Sequence, residues 1–178
     1  PCRIMPGMRR RLSVLLLIVL ALPALGRAQI PEVRVLLDRL AHSVHYQVGE
    51  SHEVTLGGDG PLMAHLPLSW PLEVAGEALL VDGQAVTGEL TLAPASGSFE
   101  WAGGEYRGAI SFLAHEGELL VINVVDVESY LRGVVPSEMM ALWPLEALKA
   151  QAVAARTYTL SRLDHGEPYD ICASEQCQ

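Results

Sequence analysis

Lysine occurs once in the chain, at Lys149, and basic residues are scarce after the first stretch. Arg3, Arg9, Arg10, Arg11 and Arg27 all lie within residues 1–28. Beyond them, seven basic residues face 21 acidic ones, a balance of −14 with His neutral. Phosphate backbones and anionic lipid surfaces are bound by clustered positive charge, so nucleic acid and anionic membranes are not expected partners. No glycine-rich loop opens a helix: Gly57-Gly58-Asp59-Gly60-Pro61 reads as a turn and not as a phosphate cradle. No H-E-x-x-H motif is present, which argues against a zinc hydrolase. His42, His45, His52, His65 and His115 are scattered without ligand spacing. No repeat of fixed period appears.

One apolar run stands out, from Leu12 to Leu22. It is short for a membrane span, which needs about 20 residues. It follows Met8 and three arginines, and Gly26 and Ala28 supply small residues before Gln29. This is the pattern of a secretory signal peptide, with residues ahead of Met8, Cys2 included, lying upstream of the true start. The expected product is exported, to periplasm, cell wall or extracellular space, and touches membrane only if the signal segment stays uncleaved. The final "YDICASEQCQ" shows no closing element, so the C-terminal part of the domain is expected to be missing.

The expected fold class is α+β. From Ile30 to Val125 the pattern is mostly β. "VRVLLDRL" and "HSVHYQV" read as short strands. Asp82-Gly83 and Glu116-Gly117 each sit between apolar runs and predict hairpin turns. Gly57–Pro61 and Pro94–Gly104 read as loops. The character changes at Asp126, which caps a short helix, "DVESYLRGVV", with acids in its first turn. Val127, Tyr130, Leu131 and Val134 share one face, and Pro136 is expected to stop the helix. A long alanine-rich helix follows from Pro144, at its first position, to Leu163. Its stripe of Leu145, Leu148, Ala152, Ala155 and Thr159 and its alanines predict burial on several sides. Lys149 can pair with Glu146 at i,i+3. Arg156 has no acid at i±4, so it either makes an ion pair elsewhere in the fold or faces the same cleft as Glu138.

Glu138 raises the functional question. In "GVVPSEMMALWP" it stands between Val134-Val135 and Met139-Met140, with Trp143 close behind. Carboxylic acids in apolar surroundings hold their protons more readily than in water, which suits a general acid. An ordinary helix glutamate beside a core segment reads the same way.

The stretch "NVVDVESYLRGVVPSEMMALWPLEALKAQAVAARTYTL", with "YDICASEQCQ" after it, closely resembles the SpoIID/LytB family, the stage II sporulation protein D type. The resemblance is dense from about Tyr106 to Gln178 and loose before that. Met140 stands where many members have proline. The family includes peptidoglycan lytic transglycosylases and amidase enhancers. The resemblance implies Glu138 as the catalytic acid and Arg156 as a residue of the same cleft. It also implies a structural zinc at His165, Cys172 and Cys177. From spacing and compartment alone, Cys172 and Cys177 remain open to a disulfide, to zinc or to free thiols. Three parts are expected: residues 1–28, a β-rich region 29–104, and a SpoIID/LytB-like core 105–178. Expected partners are peptidoglycan glycan strands and a cell-wall amidase. One carboxylic acid suffices for lytic chemistry, whereas an ordinary glycosidase needs two at a set separation. Between Arg132 and Thr159 only Glu138 and Glu146 are present, and Glu146 has Lys149 beside it.

Overall fold

A computed structural model of the chain describes residues 30–47, 52–56, 61–62, 69–86, 88–163 and 166–173. The expected signal segment lies outside these residues. Among the described residues no helix is long and apolar enough to cross a membrane. The class is α+β, as expected: strands arranged in sheets, then two helices.

The largest sheet has the order β13-β1-β12-β11-β8-β3-β4. Its centre is β12 (Glu118–Asp126), "ELLVINVVD", which pairs antiparallel with β1 (Glu32–Leu40) and with β11 (Ala109–His115). A strand held between two others and covered on both faces needs an unbroken apolar run rather than alternation. Leu119 and Val121 enter one core cluster, and Leu120 and Ile122 another. The β11–β12 turn is Glu116-Gly117, both with positive φ, as the hairpin signal predicts. Beyond β11 lie β8 (Leu90–Pro94), β3 (His52–Leu56) and β4 (Pro61–Leu62).

A second sheet, β2-β5-β6-β7, packs its apolar face on the first. It comprises β2 (Ser43–Gln47), β5 (Ser69–Ala75), β6 (Ala78–Val81) and β7 (Gln84–Val86). Tyr46 and Trp70 stand opposite one another in register and are both buried. With Leu72 and Leu79 they meet Phe112, Leu90 and Leu92 in one cluster. The Asp82-Gly83 turn between β6 and β7 is the predicted hairpin, again with positive φ at both residues.

The expected loop from Pro94 to Gly104 is instead mostly hairpin, β9 (Ser98–Trp101) against β10 (Gly104–Arg107). Its turn is Ala102-Gly103, and Ala102 takes φ 49°, a conformation its sequence does not announce. Two strands alone are marginal in water. This pair is held because Phe99 is buried in the main core and Trp101 and Tyr106 pack against it. Gly108, after β10, has φ +93°, and a Cβ there would lie 2.3 Å from the Val124 carbonyl oxygen. Only glycine fits.

β12 runs directly into α1 (Val127–Glu138). The helix does not stop before Pro136 but carries it within its last turn. Proline removes one backbone donor there. Ser137 Oγ donates to the Val134 carbonyl at 2.8 Å, and Met139 N reaches Val135 O at 3.1 Å, so the end stays closed. α2 spans Leu145–Arg162, and Pro144 is its cap rather than its first helical residue. The expectation that α2 is buried on several sides is also corrected. Thr159 is its one fully buried residue, while Leu145, Val153, Tyr158 and Leu160 are exposed. Its alanines favour helix by propensity and do not require burial.

The segment after α2 returns to the sheet edge as β13 (Ile171–Cys172), parallel to β1. Arg34 fastens it. Its backbone N–H donates to Asp170 Oδ2 at 2.8 Å and its Nε to Pro168 O at 2.8 Å, while Nη2 pairs with Glu89 at 2.9 Å.

Candidate active site

The position of Glu138 follows from how α1 is anchored. Asp126 accepts from Ser129 N at 2.9 Å, the expected N-cap, and these hydrogen bonds hold its carboxyl below the usual range. Val127 and Leu131 are buried against Val33, Val35 and Ile171 at the end of the main sheet. One face of α1 is thus fixed to the strands, and Glu138 is carried outward as the last helical residue.

α2 lies against α1 through a two-pronged ion pair. Arg156 Nε donates to Glu128 Oε1 at 2.9 Å and Nη2 to Oε2 at 2.6 Å. The guanidinium hydrogen bonds lower the Glu128 pKa, and the carboxylate raises that of Arg156. Of the two readings open for Arg156, this is the ion pair made elsewhere in the fold. Sequence reasoning missed Glu128 as its partner because the two lie 28 positions apart.

The helical pair that carries Glu138 also carries two tyrosines that the sequence reading did not single out as site residues. The Tyr130 phenol is half-buried on α1. Its pKa is raised by burial first, then by neighbouring Tyr158 and by the charge of Glu138. Tyr158 is 49% exposed, and the Arg162 guanidinium lies 5.2 Å from its ring centre. The available signal was positional: Tyr130 is two helical turns before Glu138, and Tyr158 is two residues after Arg156.

The surroundings of Glu138 are more open than its apolar neighbours in sequence imply. Glu138 is itself exposed, as are Met140, Leu142 and Trp143 on the connecting loop, while Val135 and Met139 are half-buried. Among the described residues Glu138 makes no hydrogen bond and no ion pair. The other carboxylates of the helical pair are engaged. Asp126 caps α1, Glu128 holds Arg156, and Glu146 accepts from Lys149 Nζ at 2.8 Å, the predicted i,i+3 pair.

Of the expected zinc ligands, His165 and Cys177 lie outside the described residues. Cys172 is half-buried on β13 and disulfide-bonded. A disulfide sulfur offers no thiolate, so in this state Cys172 does not fit a zinc site. Among the described residues no group of three or more His, Cys, Asp or Glu side chains could hold a metal ion.

Residues 115–178 match the family described as SpoIID, Stage II sporulation protein. An uncharacterized protein of Brachyspira hyodysenteriae is 48% identical over 62 residues, 35% of this chain and 17% of that protein. The amidase enhancer of Bacillus subtilis is 66% identical over 32 residues, 18% of this chain and 4% of that protein. The chain therefore spans a small part of the length of these relatives. No solved structure matches it. The SpoIID/LytB resemblance carried by the sequence motifs is shown over this C-terminal segment, which holds both helices and Glu138.

Proposed function

We propose that this is an exported cell-wall protein that cleaves peptidoglycan glycan strands as a lytic transglycosylase, with Glu138 as acid and then base. The observation that carries the reading is the division among the carboxylates of the helical pair. Asp126, Glu128 and Glu146 are each committed to a structural partner, and Glu138 has none among the described residues. A group that transfers protons must be free to meet its substrate.

The reaction balances on one residue. The Glu138 carboxyl gives its proton to the glycosidic oxygen as the bond from C1 of muramic acid breaks. The muramyl six-hydroxyl oxygen then bonds to C1 and its proton passes to the carboxylate, which restores the acid. No water is consumed. Exposed Trp143, five residues after Glu138, offers an aromatic surface for a sugar face. Arg156 is a positioning residue in this scheme: its pair with Glu128 sets α2 against α1. Zinc at His165, Cys172 and Cys177 belongs to the reduced state, so a chelator without reductant is expected to leave the melting temperature unchanged.

A second reading is a non-catalytic module that stimulates an N-acetylmuramoyl-L-alanine amidase. The identity with the amidase enhancer favours it. The two separate in one experiment. The protein is incubated with peptide-free glycan strands, and the ends are analysed by mass spectrometry; in parallel it is added to a cell-wall amidase acting on intact peptidoglycan. Anhydro-muramyl ends from the first arm support cleavage. Faster amidase turnover with no new glycan ends supports the module.

A further inference from the structure

A groove of about 840 Å³ runs between β2 and the β9–β10 hairpin, outside the segment that matches the family. It is lined by every residue from Val44 to Gln47 and from Ser98 to Trp101. Side chains alternate across a strand, so a furrow on a sheet face meets every second residue, whereas one along an edge meets each in turn. Both strands are outermost among the described residues: β2 ends the second sheet, and β9 pairs with β10 alone. The groove therefore lies between two strand edges that do not pair with each other.

The ladders show which backbone groups face it. Val74 N–H donates to His42 O at 3.0 Å, and Asp82 N–H donates to Pro71 O at 3.1 Å. Alternate residues of a paired strand turn their groups to opposite sides. Trp70 and Leu72 therefore bond to their register partners Tyr46 and Val44, and the N–H and C=O of His45 and Gln47 point away from β5. In the hairpin, Gly108 N–H donates to Gly97 O at 2.9 Å, which makes Phe99 and Trp101 the bonded partners of Tyr106 and Gly104. The N–H and C=O of Ser98 and Glu100 then face away from β10. Ser96 Oγ meets both groups of Ser98. Those of His45, Gln47 and Glu100 have no partner among the described residues. Open strand edges recruit further strands, and neither lining run carries the lysine or proline that commonly blocks this.

We infer that the groove takes an extended peptide segment of a protein partner, added as a strand between β2 and β9. A peptide offers backbone donors and acceptors on both sides at the strand repeat, which is what two facing edges lack. The side chains along the edges define the partner's chemistry. Tyr46 and Trp101 turn inward, with ring centres 6.3 Å apart, and Phe99 is buried in the same core cluster. The inner face of an added strand thus meets apolar surface. On the outer face Glu100 and Glu105 stand opposite each other in register, both exposed, and no lysine or arginine lines the groove among the described residues. Like charges so placed disfavour the hairpin by themselves and are relieved by a cation between them. The fitting segment alternates apolar residues with Lys or Arg. The inference does not rest on Glu138, since the groove is built from strands and the proposed active site from helices.

The test titrates ¹⁵N-labelled protein with the peptide acetyl-Lys-Val-Lys-Val-Lys-Val-amide and follows amide hydrogen exchange by NMR. The amides of His45, Gln47 and Glu100 are expected to exchange freely in the protein alone and to slow about tenfold or more when the peptide saturates. Two peptides of the same length are controls. Glu in place of Lys keeps the backbone and reverses the charge, and Pro in place of Val keeps the charge and removes alternate backbone donors. Neither is expected to slow these amides. The double variant Glu100→Gln, Glu105→Gln, altered only in exposed side chains, is expected to fold and to bind the lysine–valine peptide about fivefold more weakly, the scale of two exposed charge pairs. Amides that are already slow in the free protein overturn the inference, because the edges would then be closed. So does an excess of lysine–valine peptide that leaves them fast, equal slowing by either control, or equal affinity in parent and double variant.

Discussion

Phe112, where the two sheets meet, is fully buried, whereas Leu142, in the loop joining the two helices, is 96% exposed. The same contrast runs through both regions. Trp70, Leu72, Leu79, Leu90 and Leu119 are each within 2% of full burial, while Met140, Trp143, Leu145 and Val153 are open to solvent. The strands are held by burial of apolar surface. The helical pair is held by a few anchors: Val127 and Leu131 on the sheet, Thr159, and the Glu128–Arg156 pair. One consequence is that the region carrying Glu138 can be altered on its surface without disturbing the region that supports it.

The contrast breaks if core and helical positions respond alike. Phe112→Ala is expected to lose about 3–5 kcal/mol of stability, the range for deleting a buried aromatic ring, as read by urea unfolding. Next in size is an alkaline effect in the same core. Burial pushes the Tyr46 phenol up to about 12 from 10. The folded state holds the proton more tightly, so this stability is complete below about pH 10 and lost as pH rises toward 12, by roughly 3 kcal/mol. Unfolding followed against pH should show that loss in the parent and its absence in Tyr46→Phe.

Smaller effects are expected in the helical region. Asp126→Ala removes the α1 cap and should lower stability by about 1 kcal/mol, seen as a drop in melting temperature. The Asp126 pKa is lowered in the folded state by Ser129, so its contribution is present above the ordinary carboxyl value and fades as pH falls through the depressed one. Parent and Asp126→Ala should therefore converge in acid. Smallest of all, Leu142→Ser should change stability by no more than about 0.5 kcal/mol, since nothing covers the side chain among the described residues. A loss of several kcal/mol there would show that the loop is packed and the contrast mistaken.

What the sequence disclosed divides along physical lines. The β6–β7 and β11–β12 hairpins were legible because Asp82-Gly83 and Glu116-Gly117 use residues suited to positive φ. The β9–β10 hairpin was not, because its turn puts an alanine there and its strands depend on Phe99 and Trp101 reaching a distant core. Pro136 misled for a related reason. The rule that proline ends a helix counts the missing donor, whereas Ser137 closes the turn by its side chain. In the helical pair, the Asp126 cap was visible because it is a local feature. The Glu128 partner of Arg156 arises from helix packing, which no spacing rule within one helix can reveal.

The central claim is that the two glutamates of α1 divide their labour: Glu128 holds the helices together and Glu138 moves protons. Glu128→Gln and Glu138→Gln, compared for melting temperature and for release of anhydro-muramyl ends from peptide-free strands, test this most directly. The account predicts that Glu138→Gln melts with the parent and loses about 10²- to 10⁴-fold in rate, the usual share of general acid–base catalysis. It predicts that Glu128→Gln melts earlier, having lost a carboxylate from a charged pair. A Glu138→Gln protein that cleaves as fast as the parent would contradict the account.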